Sequence, residues 1–192
     1  MIDQSFYVPR IPVAVVDCGA TQEAALVRGL LESMNAVVTL HQPGTPKDFL
    51  LVLGQGESAP AYMVICGHGD ENGFVFGGYG PQIDTTCLVK GSLPAAVLAA
   101  SIRLPGRIVV STACDTGAEA FSQAFLAGGV RAYIAPAGAP EGADAQLFVH
   151  HFFYNVFRRG LEPEEAWLRA RSYDEEGAIF VLHRARPDHP HP

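Results

Sequence analysis

The sequence predicts an α/β protein with a mainly parallel six-stranded sheet and helices on both faces. Six short apolar runs alternate along the chain with segments of helical spacing. These runs are apolar throughout rather than at every second residue, which is typical of strands buried on both faces. The chain has 192 residues, of which 48% are hydrophobic and 17% charged. It is therefore long enough for one domain with a substantial core.

The predicted elements follow one another with short connections. Strands are predicted over residues 12–17, 36–40, 61–66, 107–111, 130–135 and 178–182. Helices are predicted over residues 20–35, 46–52, 93–102 and 163–171, and two further helices are expected to end at Gly128 and Gly160. Residues 73–86, rich in glycine and aromatic side chains, are expected to form an irregular insertion or a hairpin.

Three local patterns justify the helices. Thr21 and Glu23 suit the amino end of the first helix, because polar and acidic side chains stabilise free N–H groups there. Thr116-Gly-Ala-Glu119 fits a capping box, so a helix is expected to start at that point. The helix before Gly160 should bury one face that carries Ala145, Phe148, Val149, Phe152 and Val156.

The composition of the chain limits its domain organisation and the classes of partner it can bind. Without an internal repeat or a linker, we expect one domain over residues 1–185 and a disordered tail over residues 186–192. The net charge of −7 and the scattered basic residues argue against nucleic acid or an anionic membrane as partner. Neither a signal peptide nor a membrane-spanning run is apparent. Four cysteines are few, which favours reduced thiols and a cytoplasmic location.

Three strand ends carry the candidate site residues. In parallel sheets, ligands and chemistry collect beyond the carboxyl ends of the strands. The segments at such ends are residues 17–19, 67–70 and 113–116, with the sequences Asp-Cys-Gly, Gly-His-Gly-Asp and Ala-Cys-Asp-Thr. If the third and fourth predicted strands are neighbours, about 4.8 Å apart, then His68 and Cys114 share one cleft.

These two residue types suit acyl transfer through a thioester. A helix amino terminus after Cys114 would lower the pKa of its thiol. His68 would act as base towards thiol or water and as acid towards a leaving amine. The N–H groups of Gly69 and Cys114 would form an oxyanion hole. The residues alone leave another interpretation open, in which Cys114 is a packing residue and His68 an ordinary hydrogen-bonding side chain.

The ordered set of motifs resembles the caspase-like, clan CD, cysteine peptidases, and CHAT domains most of all. One apolar strand ends in Gly-His-Gly and the next ends in Ser-Thr-Ala-Cys-Asp-Thr-Gly. Residues 125–131, 153–160, 162–167 and 178–182 are similar to the family's later segments, so the resemblance runs from about residue 60 to residue 183.

The resemblance implies a three-layer caspase-like sandwich and an endopeptidase acting on a peptide or protein substrate. His68 would then be the general base or acid and Cys114 the nucleophile, with no metal and no organic cofactor. Two positions depart from the family pattern. Thr112 stands where relatives that cut after arginine or lysine often carry an acidic residue. Residues 136–140 lack the tryptophan common in CHAT domains, and the only tryptophan is Trp167.

Three aspartates are further candidates for substrate binding. Asp17 would lie near a pocket for a basic substrate side chain, or would form a turn. Asp70 and Asp115 flank the dyad and would either act on the imidazole or cap turns. Cys18 and Cys66 are expected to be packing residues. His150 and His151 are adjacent on a helix and point in different directions, so they predict no metal site.

Two functions other than proteolysis stay open. One is a catalytically silent CHAT-like module that binds a protein partner, which the unclear specificity pocket motivates. The other is a flavodoxin-like binding domain, which the alternating strands and helices permit. The sixth predicted strand, if it lies uncovered at the sheet edge, could pair with a second copy to form a homodimer.

Overall fold

The central sheet has six strands and is parallel except at one edge. The computed structural model describes residues 9–185. Strands and helices are numbered in chain order, and the sheet contains β1 (Ile11–Cys18), β2 (Ala36–His41), β3 (Tyr62–Gly67), β7 (Ile108–Ser111), β8 (Ala132–Pro136) and β9 (Phe180–Arg184). Their spatial order is β2-β1-β3-β7-β8-β9, and only the β8–β9 pair is antiparallel. The predicted mainly parallel six-stranded sheet is confirmed.

Six helices cover the sheet on both faces. They are α1 (Thr21–Ser33), α2 (Pro46–Leu53), α3 (Ala95–Ser101), α4 (Glu119–Ala127), α5 (Gly142–Arg159) and α6 (Pro163–Arg171). One apolar cluster joins α1, α5 and α6 to the sheet, and a second joins α2, α3 and α4 to its other face. The fold is therefore a three-layer α/β/α sandwich, as predicted.

Successive residues of a strand pack alternately into the two apolar clusters. In β1, Val13 and Val15 pack into the α1 side of the sheet, while Ala14 and Val16 pack into the α2 side. All four side chains are fully buried. This double burial explains why the central strands are largely apolar, because neither face of the sheet meets water there. The predicted buried face of α5 is confirmed at all its five positions.

A small second sheet follows β3. It consists of β4 (Gly69–Asp70), β5 (Gly73–Val75) and β6 (Ser92–Leu93), paired antiparallel in the order β4-β5-β6. Phe74 and Phe76 from this insertion pack their rings 5.5 and 5.6 Å from the Phe49 ring of α2. The predicted hairpin over residues 73–86 is thus correct in kind, but its partner strands lie at 69–70 and 92–93.

The helix after β7 starts later than the sequence predicts. Thr116 does not cap it, because its hydroxyl donates to the Ala113 carbonyl at 2.7 Å and lies 3.0 Å from the Ser111 hydroxyl. The helix begins instead at Glu119, with Ala118 at the N-cap position. The capping box is therefore wrong, since the same side chain is used to close a turn before the helix.

Two further expectations concern the ends of the chain and membranes. The tail predicted over residues 186–192 lies outside the described residues. Across residues 9–185, the helices are too short or too polar to cross a bilayer.

Candidate active site

The loop that carries His68 packs against two strand ends through its two glycines. A β-carbon added to Gly67 would lie 3.0 Å from the β-carbon of Cys18, at the end of β1. A β-carbon added to Gly69 would lie 2.0 Å from the carbonyl oxygen of Cys114. Side chains at these positions would force the backbones apart. The Gly-His-Gly sequence therefore lets the β3 end approach both neighbouring strand ends.

His68 and Cys114 follow adjacent parallel strands. β3 pairs with β7 in the register Ile65 opposite Ser111, which confirms that the third and fourth predicted strands are neighbours. The Thr112 N–H extends this pairing by donating to the Ile65 carbonyl at 3.0 Å. Both site residues therefore leave the sheet at the same rim. His68 is exposed and Cys114 is partly exposed, so both can meet a substrate from solvent.

A hydrogen-bonded turn holds Cys114 in place. Asp115 has a φ of 60°, a left-handed conformation that aspartate tolerates better than most residues. The N–H groups of Asp115 and Gly117 donate to the carbonyls of Gly138 and Pro136, at 3.0 and 2.8 Å. The buried Tyr133 hydroxyl donates to the Thr116 carbonyl at 3.0 Å. Because these bonds reach the segment after β8, the turn is fixed by tertiary structure and not by a helix.

The thiol of Cys114 is not activated in the free protein. Burial raises its pKa above the ordinary value of 9.0, and the Asp115 carboxylate raises it further. The predicted lowering by a helix amino terminus is wrong, because α4 begins only at Glu119. Among the described residues, the His68 ring and the Cys114 sulfur share no hydrogen bond. At neutral pH the sulfur is thus a neutral thiol, and its proton must leave during attack on a substrate.

The backbones of Gly69 and Cys114, the two predicted oxyanion donors, are in contact. The Cys114 N–H donates to no backbone carbonyl among residues 9–185; it lies against its own sulfur instead, which partly offsets the rise in the thiol pKa. This N–H is therefore available for a ligand. Its role, and that of Gly69, stay predictions.

Two of the three candidate aspartates form turns. The buried Asp17 carboxylate accepts hydrogen bonds from the N–H groups of Gly19 and Ala20, at 3.1 and 3.0 Å, and from the Gln42 amide. Asp70 accepts from the N–H groups of residues 72 and 73 and from the hydroxyl of residue 92. Although burial opposes it, these bonds hold the pKa of Asp70 below its ordinary value.

Asp115 is the aspartate in electrostatic contact with the nucleophile candidate. It acts on Cys114 by raising the pKa of the thiol, as described above. The substrate-binding roles predicted for Asp17, Asp70 and Asp115 stay predictions. The oxygens of the first two are already engaged within the protein.

Glu23 is a site residue that the sequence assigned only to a helix end. It lies in the first turn of α1, and its Oε1 is buried without a hydrogen-bond partner among the described residues. Burial raises the pKa of Glu23, partly offset by Thr112, His68 and Cys66. The Thr112 hydroxyl itself is directed at the Ile65 carbonyl, at 3.3 Å. The only signal in the sequence was an acidic residue in a first helical turn, which is normally solvent-exposed.

Two pockets contain His68, and Cys114 lines neither of them. The Glu23 pocket, of about 330 Å³, is lined by residues 19–23, His68 and Gln146. The Tyr79 pocket, of about 300 Å³, is lined by Cys18, Gly19, Pro43, His68, Val75, Phe76, Gly77 and Tyr79. The first is mainly polar, whereas the second is mainly apolar. Larger surface pockets elsewhere, such as one of about 420 Å³ between α5 and α6, contain neither His68 nor Cys114.

Similarity to known proteins lies in the fold and not in the sequence. No family model matches the chain. No curated protein matches it either. Solved structures do match: gingipain R (RgpB) of Porphyromonas gingivalis, an Arg-specific cysteine proteinase, superposes with a TM-score of 0.56 at 13% identity over 89% of this chain. Separase from the Saccharomyces cerevisiae separase–securin complex superposes with a TM-score of 0.55 at 11% identity over 94% of this chain.

The matched proteins are much longer than this one. The chain spans 45% of the gingipain R chain and 13% of the separase chain. At these identities the likeness concerns the fold alone. The protein therefore has the caspase-like fold of gingipain R and separase, an architecture that a cysteine proteinase uses.

Proposed function

We propose that the protein is a cysteine endopeptidase of the caspase-like type, with Cys114 as nucleophile and His68 as general base and acid. The observation that carries the proposal is the contact between Gly69 and Cys114 at the shared rim of β3 and β7. Because His68 directly precedes Gly69, this contact supports a site shared by an exposed imidazole and a partly exposed thiol, in a fold also found in a cysteine proteinase. The Gly-His-Gly and Ala-Cys-Asp motifs support a CHAT-type domain within this class.

The neutral thiol defines the order of proton transfers. His68 takes the thiol proton as the sulfur attacks the scissile carbonyl carbon, and the carbonyl oxygen becomes an oxyanion facing the N–H groups of Gly69 and Cys114. When the tetrahedral intermediate collapses, the C–N bond breaks and the imidazolium gives its proton to the leaving amine. A water molecule, deprotonated by His68, then hydrolyses the thioester and restores the thiol. No step in this scheme uses a metal or an organic cofactor.

A panel of peptide amides tests the proposal. The wild-type protein should release the amine, and Cys114→Ala should lower kcat/KM by at least about 1000-fold. Cys18→Ala is the matched control, since Cys18 contacts the same loop from the other side, and it should retain activity. Equal rates for wild type and Cys114→Ala would refute the proposal.

The alternative is a catalytically silent CHAT-like module that binds a protein. The raised pKa of the Cys114 thiol favours it, because a neutral thiol is a poor nucleophile without a base. Irreversible peptide ketones with a leaving group, which mimic the scissile bond, separate the two functions. Modification of Cys114 that requires His68 supports the peptidase, whereas modification at the same rate in His68→Ala supports the silent module.

Location and assembly complete the proposal. We place the protein in the cytoplasm, with a peptide or protein as its substrate and neither nucleic acid nor membrane as partner. We also propose a homodimer through β9, which lies at the sheet edge with Val181 and Leu182 partly exposed. Sedimentation at micromolar concentration should give twice the monomer mass of 20.5 kDa. A monomer mass at that concentration would refute the dimer.

A further inference from the structure

The turn over residues 113–117, which carries Cys114, engages nearly all of its backbone hydrogen-bonding groups within the protein. Every N–H of this turn except that of Cys114 donates to the Ser111 hydroxyl or to a backbone carbonyl. Every carbonyl of the turn except that of Cys114 accepts, either from a side chain or from the N–H of Ala118. Within residues 9–185, the turn is therefore held at each residue apart from the nucleophile candidate itself.

Two of the donors to this turn come from the antiparallel edge of the sheet. The Tyr133 hydroxyl of β8 donates to the Thr116 carbonyl at 3.0 Å. The Nε2 atom of His183, in β9, lies 2.9 Å from the Gly117 carbonyl oxygen. Because a carbonyl oxygen can only accept, Nε2 carries the proton in this bond, in the neutral ring as well as in the imidazolium. Two consecutive carbonyls of the turn are thus bonded to two neighbouring strands.

The packing of the sheet edge orients both donors. Tyr133 and His183 are directly opposite residues of β8 and β9, so their side chains project from the same face of the sheet. This is the α4 face, where the Tyr133 ring stacks on the Phe125 ring with the centroids 4.1 Å apart. Tyr133 is fully buried, whereas His183 is partly exposed. His183 can therefore be replaced with less damage to the core than Tyr133.

We propose that His183 is a positioning residue for the nucleophile, which acts through the Gly117 carbonyl and, together with Tyr133, holds the Cys114 turn in one geometry. The identification of Cys114 as a nucleophile rests on the proposed function, whereas the hold on the turn does not. A turn bonded at two consecutive carbonyls keeps the sulfur at a fixed place relative to a bound substrate, and reaction rates depend steeply on such placement. Since His183 acts through the backbone of the turn, its loss should lower kcat and leave KM nearly unchanged.

Kinetics of substituted proteins test this role. His183→Phe keeps a ring but removes the donor, and it should lower kcat for peptide amides about tenfold at an unchanged KM. His183→Gln places an N–H donor near the position of Nε2 and should restore kcat to within about threefold of wild type. Tyr133→Phe removes only the hydroxyl of the second bond and should also lower kcat about tenfold. His151→Phe is the matched control, because His151 lies on α5 and makes no hydrogen bond to the turn, and it should leave kcat unchanged.

Amide hydrogen exchange measures the hold on the turn without any need for catalysis. In peptides that cover residues 112–118, His183→Phe should speed exchange about tenfold, because a loosened turn exposes the N–H groups of Asp115 and Gly117 more often. His183→Gln and His151→Phe should exchange like wild type. The inference is overturned if His183→Phe exchanges like wild type, or if His183→Gln loses as much kcat as His183→Phe.

The two measurements separate this inference from the proposed function. If wild type and Cys114→Ala hydrolyse peptide amides at one rate but exchange of the turn still requires a donor at residue 183, the peptidase proposal fails and the hold on the turn stands. If hydrolysis requires Cys114 but neither kcat nor exchange responds to His183→Phe, the peptidase stands and the positioning role fails.

Discussion

Cys18 and Cys114 touch the same loop from opposite sides, yet only Cys114 is partly exposed to solvent. Gly67 packs on Cys18 at the end of β1, and Gly69 packs on Cys114 after the end of β7. Cys18 is 4% exposed and lies in the core of the α2 side. Cys114 stands in a turn outside the strand and is partly exposed. Cys18 is the last residue of its strand and is packed in the core, whereas Cys114 lies a few residues beyond the end of its strand and is accessible.

The pKa values of both thiols are raised, first by burial and then by a neighbouring aspartate. Burial dominates at Cys18, which lies within the sheet, and Asp17 adds to it. Burial also leads at Cys114, but less of that residue is enclosed and the neighbouring Asp115 adds repulsion. A raised thiol pKa therefore does not by itself identify a packing cysteine. Exposure to solvent is the property that distinguishes the two thiols.

The largest expected effect comes from the two glycines of the loop. Gly69→Ala should lower kcat/KM by about 100-fold, because its β-carbon would lie 2.0 Å from the Cys114 carbonyl oxygen and must displace the nucleophile. The β-carbon of Gly67→Ala would lie 3.0 Å from the Cys18 β-carbon, and this variant should lower kcat/KM by at most about tenfold. Peptide hydrolysis measures both, with circular dichroism as the check on folding. Equal losses in the two variants would contradict the distinction between the two contacts.

The alkylation rates of the native protein measure the difference in accessibility between the Cys18 and Cys114 thiols. Iodoacetamide should modify Cys114 about 100-fold faster than Cys18, since burial blocks access to the latter. The Cys114 rate should go on rising further into the alkaline range than that of an ordinary thiol, because burial and Asp115 raise its pKa. Asp115→Asn should raise the rate at pH 8 by about threefold by lowering that pKa. Peptide mass mapping over time reports each site, and a Cys114 rate already constant below pH 8 would contradict the raised pKa.

The smallest expected effect concerns the stability cost of Glu23. Its pKa is raised above the ordinary value of 4.5, so the folded state binds the proton more tightly than the unfolded chain. The free energy of unfolding should therefore fall as pH rises from 4.5 through the raised pKa, and stay reduced above it. Glu23→Gln removes this penalty and should stabilise the fold by about 1 kcal/mol at pH 7.

Urea unfolding at two pH values measures how much the Glu23 carboxylate lowers the free energy of unfolding. At pH 4, where the carboxyl is mostly protonated in both states, Glu23→Gln and wild type should differ little. Glu32→Gln changes an exposed glutamate of the same helix and controls for the substitution itself. A stabilisation by Glu23→Gln that is the same at pH 4 and pH 7 would contradict the raised pKa of the Glu23 carboxyl.

The strand and helix pattern could be predicted because burial on both sheet faces leaves a direct trace in the sequence. Every strand that forms the six-stranded sheet is an apolar run, and the α5 stripe is visible at helical spacing. The start of α4 could not be predicted, because Thr116 had two possible uses. A helix cap at Thr116 can be predicted from the residues that follow it. The hydrogen bonds that Thr116 makes with Ser111 and Ala113 depend instead on the path of the chain after β7.

The sequence by itself determined the parallel sheet, the two faces of helices and the placement of His68 and Cys114 at strand ends, whereas the structure supplied the pairing of those two strands. Apolar periodicity and the position of a residue at a strand end are local properties, so they can be read from the amino-acid sequence alone. Only the tertiary structure decided the state of the thiol and the burial of Glu23. Both depend on groups far away in the chain: the segment after β8 holds the Cys114 turn, and the ends of β3 and β7 enclose the Glu23 carboxylate. Electrostatics and desolvation act through space, and they appear only once the chain has folded.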